Sequence, residues 1–166
     1  SPTNYTLAYP MYPRQSNDLA TGRSWLDDPR GENLENSLPG FTLEEVIGGL
    51  GRLARHWKRG SEQLEEGLEG CEAATATEEL DNAWVCYHIW RSTSNTYRAW
   101  KLRRKWSNSK LEAYLTIARD ELANLEAALP RVERDERFGW HSDAQAHLFD
   151  AAGIRKKIAA LRRQLS

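Results

Sequence analysis

Residues 111–132, LEAYLTIARDELANLEAALPRV, carry the clearest pattern in the chain. Leu111, Leu115, Ala118, Leu122, Leu125, Leu129 and Val132 fall alternately four and three residues apart, which lines one side of an α-helix with apolar groups. Such a seam belongs to antiparallel helical bundles. Ser109 and Glu112, three apart just ahead of it, predict the helix cap, and Pro130 predicts a kink or an end.

Outward from that stretch the same logic finds three more helices. Toward the C-terminus, Asp150 predicts the cap of a last helix with Ile154, Ile158, Leu161 and Leu165 on one face. That face should meet Leu115, Leu122, Leu125 and Leu129. Toward the N-terminus, Thr75 and Glu78 suggest a capping box for a helix running to about Trp106. Its Trp84, Tyr87, Trp90, Tyr97 and Trp100 spread over more than one face, so neighbours are expected on two sides. The first helix opens at the Thr42–Glu45 capping box, with Phe41 and Val46 at the staple positions. It continues through Val46, Leu50, Leu53, Trp57, Leu64 and Leu68 to a stop at Gly70. Gly48, Gly49, Gly51, Gly60 and Gly67 each weaken it by roughly 1 kcal/mol against Ala, and point to close approach by another backbone.

Residues 1–40 are different. Five of the six prolines and Tyr5, Tyr9 and Tyr12 lie there, which excludes a long helix and predicts an arm docked on something. The expected fold is therefore all-α: an antiparallel bundle of about four helices over 41–166 behind an extended, Pro/Tyr-rich arm over 1–40. No alternating strand pattern occurs.

Composition fits one globular domain, with 40% apolar and 28% charged residues among 166. The net charge of −1 gives no global pull toward nucleic acid or membrane, and no apolar run approaches the roughly 20 residues that span a bilayer. The chain begins Ser1-Pro2 without an initiator Met, and is expected to be a piece of a longer protein. Cys71 and Cys86 read as two ordinary thiols, with one disulfide left open. Seven tryptophans exceed common usage. Of the large rings, several of Tyr9, Tyr12, Trp25, Trp100, Trp106 and Trp140 are expected to stay partly exposed as docking surface, and Trp57 and Trp84 to be buried.

Charge is segregated along the chain. Residues 61–81 hold eight acids and no base, whereas residues 82–111 hold seven bases and no acid. A bundle built this way should be polarised along its axis. Bases interleaved with rings, Trp100 and Arg104 among them, could meet an anionic polymer or an acidic protein, although charge runs more often decorate solvated helix faces. No phosphate-loop, dinucleotide, zinc-protease or hydrolase-elbow motif occurs. His141, Asp143 and His147 lie close together, but their spacing fits no metal-ligand pattern; loop and cap hydrogen bonds explain them better. No cofactor and no metal is expected.

A resemblance enters with four segments: Ala118-Arg119-Asp120-Glu121-Leu122-Ala123-Asn124, Ala128-Leu129-Pro130-Arg131-Val132-Glu133-Arg134-Asp135, Arg137-Phe138-Gly139-Trp140-His141 and Ile154-Arg155-Lys156-Lys157-Ile158. Together they resemble the C-terminal helical region of large bacterial glycan-processing proteins related to α-glucuronidases and hexosaminidases. The resemblance implies a barrel catalytic domain N-terminal to this piece in the parent, and a periplasmic or extracellular location. No barrel and no catalytic acid pair are in this chain, so the chain alone is expected not to be an enzyme. The expected role is a non-catalytic helical domain that packs against, or completes the glycan cleft of, a parent glycoside hydrolase. Its expected partners are that catalytic domain and a glycan, with nucleic acid disfavoured. The alternative is a stand-alone helical binding module for an anionic polymer or acidic protein. Trp140 and His141 are the first candidates for ligand contact, and Trp100 and Arg104 the second.

Overall fold

A computed structural model describes residues 7–9, 11, 38, 40–142 and 145–166. Its elements are α1 (Leu43–Gly67), α2 (Ala74–Arg103), a 3-10 turn (Asn108–Lys110), α3 (Leu111–Arg134), β1 (Trp140–His141), β2 (Ala146–His147) and α4 (Ala151–Leu165). Successive helices pack antiparallel, α1 on α2, α2 on α3 and α3 on α4, so the all-α bundle expected from the periodicity is the fold. Among the described residues, no helix is long and apolar enough to cross a membrane.

Two of the local start signals act as read. Thr42 Oγ1 accepts from the Glu45 amide at 3.2 Å, and Glu45 Oε2 accepts from the Thr42 amide at 2.8 Å, closing the capping box of α1. Asp150 Oδ1 accepts from the Gly153 amide at 2.6 Å and starts α4. Two others do not. α2 begins one residue early, at Ala74, with Ala73 as an N-cap that has no side-chain bond, so Thr75 lies inside the helix and cannot cap it. α2 also stops at Arg103 rather than near Trp106. Ser109 sits within the 3-10 turn and exchanges a hydrogen bond with Ser107 at 2.9 Å, while Glu112 accepts from Arg119 at 2.8 Å. That turn has taken the place of the expected cap. Pro130 neither ends nor replaces the last turn, for α3 runs on to Arg134. Pro130 is exposed, so the carbonyl it leaves without a helix partner can turn to water.

The core sits between α2, α3 and α4. Leu125, Ala128, Val132, Ile154, Ile158 and Leu161 are buried in it, with Leu115, Leu122 and Leu129 half-buried against it. The seam of α3 is thus rotated from its sequence reading: Tyr114, Ile117, Glu121 and Asn124 are buried as well, and Leu111 is exposed. A helix held between two others must bury two faces. The arm contributes too. Leu7 and Met11 belong to the same core, and Gln164 Nε2 donates to the Met11 carbonyl at 2.8 Å. Tyr9 is buried rather than partly exposed. Tyr5, Tyr12 and Trp25 lie outside the described residues.

A second cluster joins Leu38, Tyr97 and Trp100 with Leu43, Val46, Ile47 and Leu50, and fixes the first half of α1 on the last half of α2. α1 has no other extensive neighbour among the described residues. This explains why Trp57, expected in the core, is 36% exposed, and why a Cβ on Gly48, Gly49 or Gly51 would meet only side chains of the same helix. The close approach expected at those glycines occurs at Gly139 instead. Cys71 and Cys86 are free thiols.

Leu125→Ala should cost about 2–5 kcal/mol by urea unfolding, with half-buried Leu122→Ala at or below the low end of that range.

Candidate functional site

The α3–α4 connection holds a tryptophan ring outward on a constrained backbone. Asp135 ends α3 and ties down the turn: its Oδ1 accepts from the Arg137 amide at 2.9 Å and from Arg137 Nε at 2.8 Å. The Arg137 guanidinium holds the Asp135 carboxyl below its usual range. Gly139 follows at φ +81°, where a Cβ would stand 2.1 Å from the Phe149 carbonyl oxygen, so only glycine fits. The Leu148 amide donates to the Gly139 carbonyl at 2.7 Å, and β1 pairs with β2, Trp140 opposite His147 and His141 opposite Ala146. This two-residue ladder is the strand that the periodicity did not announce.

The turn buries Leu148 and Phe149, half-buries Phe138, and leaves Trp140 54% exposed. His147 meets the Trp140 ring edge-on, with centroids 5.2 Å apart, and its own Nε2 hydrogen-bonds the Glu136 carbonyl at 2.7 Å. Trp140 thus packs one edge contact against His147 while showing much of its ring to solvent. His141 is half-buried beside it. Side chains alternate across a strand pair, so Trp140 and His147 share one face while His141 lies on the other. His141 and His147 thus do not converge. No group of three metal-binding side chains occurs among the described residues, and Asp143 lies outside them.

The second pair of candidates comes out differently. Trp100 was expected to show its ring, but only 6% of it is exposed, because Leu38, Tyr97 and the first turns of α1 cover it. Arg104, which is exposed, lies over the Trp100 ring at 5.1 Å. At this end of α2 the Trp100 ring is closed to stacking, while Trp106 just beyond it is half-buried. The opposite end is less acidic than its sequence, since Arg131 and Arg134 of α3 both bind Asp81 and Arg137 reaches Glu78 at 3.5 Å.

Sequence reasoning missed a polar layer inside the bundle. Lys157 Nζ lies 2.5 Å from Glu121 Oε1, which also accepts from Ser92 Oγ at 2.5 Å; Asn95 Nδ2 donates to Glu121 Oε2 at 3.0 Å. Glu121 and Ser92 are fully buried and Lys157 nearly so. Beside them Arg91 binds Asp120, which also accepts from Asn95 at 2.9 Å. One turn away, Asn124 Nδ2 donates to the His88 carbonyl at 3.0 Å, which orients the amide so that His88 Nδ1–H donates to Asn124 Oδ1 at 2.8 Å. A Ser–Lys–Glu set could in principle do acyl chemistry, but this one is sealed from any substrate. Its signal was available: Asp81, His88, Ser92 and Asn95 occupy core-facing spacing on α2.

Burial pushes His88 down to about 4, a fall deepened by the Arg131 and Arg91 charges and opposed by the Asn124 bond. Desolvation raises the Asp81 carboxyl, yet the Arg134 and Arg131 bonds outweigh it and hold the group below its usual range.

No family model, curated protein or solved structure matches this chain.

Two outcomes follow from the polar layer. Below its ordinary pKa near 6.5 the unfolded chain binds a proton at His88 that the native state refuses until about 4. Stability should therefore be complete above that window and fall as pH drops through it, by on the order of 3 kcal/mol at about 1.4 kcal/mol per unit. Urea titrations across the window measure this, and His88→Gln should flatten the slope. Separately, Lys157→Met strands the Glu121 charge and should cost about 3–5 kcal/mol. Adding Glu121→Gln to it should restore a large part of the loss in the same assay.

Proposed function

We propose that this chain is a non-catalytic helical accessory domain of a carbohydrate-active protein, and that Trp140 marks the surface that meets a glycan or the neighbouring catalytic domain. The observation that carries this reading is the exposed indole of Trp140, held by Gly139, the β1–β2 ladder and the edge of His147. A flat apolar face presented on a constrained turn suits the apolar face of a sugar ring or a protein contact. The resemblance adds to it. Its motif residues have distinct jobs in this architecture: Glu121 and Lys157 in the buried ion pair, Asn124 against His88, Asp135 and Gly139 in the turn. A pattern shared because of how helices are joined would fall on such positions. The alternative reading, an anion-binding face on α2, is less well supported, because its stacking ring at Trp100 is covered.

The purified chain should hydrolyse no aryl glycoside, and turnover abolished by replacing a single acid would end the non-catalytic reading. In titrations with neutral and acidic oligosaccharides, wild-type tryptophan fluorescence should respond, and Trp140→Ala should weaken binding at least about tenfold with an unchanged melting temperature. A variant that binds every responding sugar as wild type does would remove Trp140 from the site.

A further inference from the structure

α1 touches the rest of the molecule chiefly along one side, where Ile47, Leu50, Ala54 and Ser61 face α2. A flank beside it carries a second register with a regular composition. Arg52, Arg55, Arg59, Glu62 and Glu66 follow one another on α1 at intervals of three, four, three and four, and Glu69 continues the spacing in the turn just past the helix end. This is the spacing of a helix–helix seam. All but Glu62 are exposed, and Glu62 is half-exposed. Three cations come first and three anions second.

That order is unfavourable in a single helix. Arg55 and Arg59, and likewise Glu62 and Glu66, are like charges four apart, which repel across one turn. Acids gather near the C-terminal end, and the last turn holds no base, so the charges also run against the helix dipole. Among the described residues the seam finds little relief. Arg59 meets His56 at 2.8 Å, and Glu62 pairs with Lys58 at 3.0 Å across an exposed surface. Arg52 and Arg55 have no acidic partner there.

The missing partner is supplied by the seam itself. If a second copy lies antiparallel with the two-fold axis between positions 60 and 61, position k faces position 121 − k. Arg59 then faces Glu62 of the second copy and Arg55 faces Glu66, with Arg52 opposite the turn that holds Glu69, and the symmetry repeats these pairings. A one-residue change of register removes this match. We propose that α1 is a homodimer interface, an antiparallel two-fold pairing of α1 with α1 through this charge-complementary seam. It is independent of the role assigned to Trp140.

Sedimentation equilibrium of the whole chain tests it. At low salt the wild type should show a monomer–dimer equilibrium, and its dissociation constant should rise at least about tenfold in high salt as the charges are screened. The triple variant Arg52→Glu/Arg55→Glu/Arg59→Glu should be monomeric, as should Glu62→Arg/Glu66→Arg/Glu69→Arg. An equimolar mixture of the two should associate again, since one seam is then all acid and the other all base. Circular dichroism checks that both variants keep their helices, and the wild-type salt series needs no variant. A wild type that stays monomeric at low salt, triple variants that dimerise as well as wild type, or a mixture that fails to associate would overturn the proposal.

Discussion

Deep between three helices, the ammonium of Lys157 rests on the carboxylate of Glu121 where neither meets water. Taking two such charges out of solvent costs several kcal/mol each, and their attraction offsets this only if geometry and further hydrogen bonds are good. Here they are: Ser92 and Asn95 of α2 complete the shell of Glu121, so a single carboxylate on α3 is bound by α2 on one side and α4 on the other. A shift of any of the three helices by one turn would leave a buried charge alone. The apolar contacts of Leu125, Ile154 and Leu161 supply the burial, but they tolerate sliding far better than this pair does.

The same layer explains the character of α2. Its middle, Arg91-Ser92-Thr93-Ser94-Asn95-Thr96, would look like a solvated stretch by composition, yet all but Arg91 are buried. Small hydroxyl side chains let α1 and α3 approach from both sides; Thr93 returns its hydrogen bond to the Ile89 carbonyl at 2.8 Å, while Ser92 reaches across to Glu121. With both faces of α2 occupied, α1 becomes an outer helix. Its far flank has no layer beyond it among the described residues, which leaves Trp57 at the margin and the charged seam in the open.

At the other end of the core, the α3–α4 connection turns rigidity into presentation. Phe149 and Leu148 are drawn inward, Gly139 permits the contact, and the short ladder turns the next ring outward. Trp140 is exposed because its neighbours are buried, not because the loop is loose.

What the sequence determined by itself is what depends on neighbours along the chain. Helical periodicity, the Thr42–Glu45 box, the Asp150 cap and the Gly70 stop, which stands at φ +79°, are set by groups within a few residues of each other. A ring in the α3–α4 connection could equally have faced solvent or plugged the end of the bundle, and the sequence left that open for Trp140. Tertiary structure alone decided which face of α3 is central, which tryptophans are covered, and whether Ser109 caps a helix. It also decided that Lys157 and Glu121, 36 residues apart, would share one buried site. Those outcomes are fixed by burial, and burial at any position is a property of the elements packed on it. Periodicity names a face of a helix, but not the number of partners that will cover it.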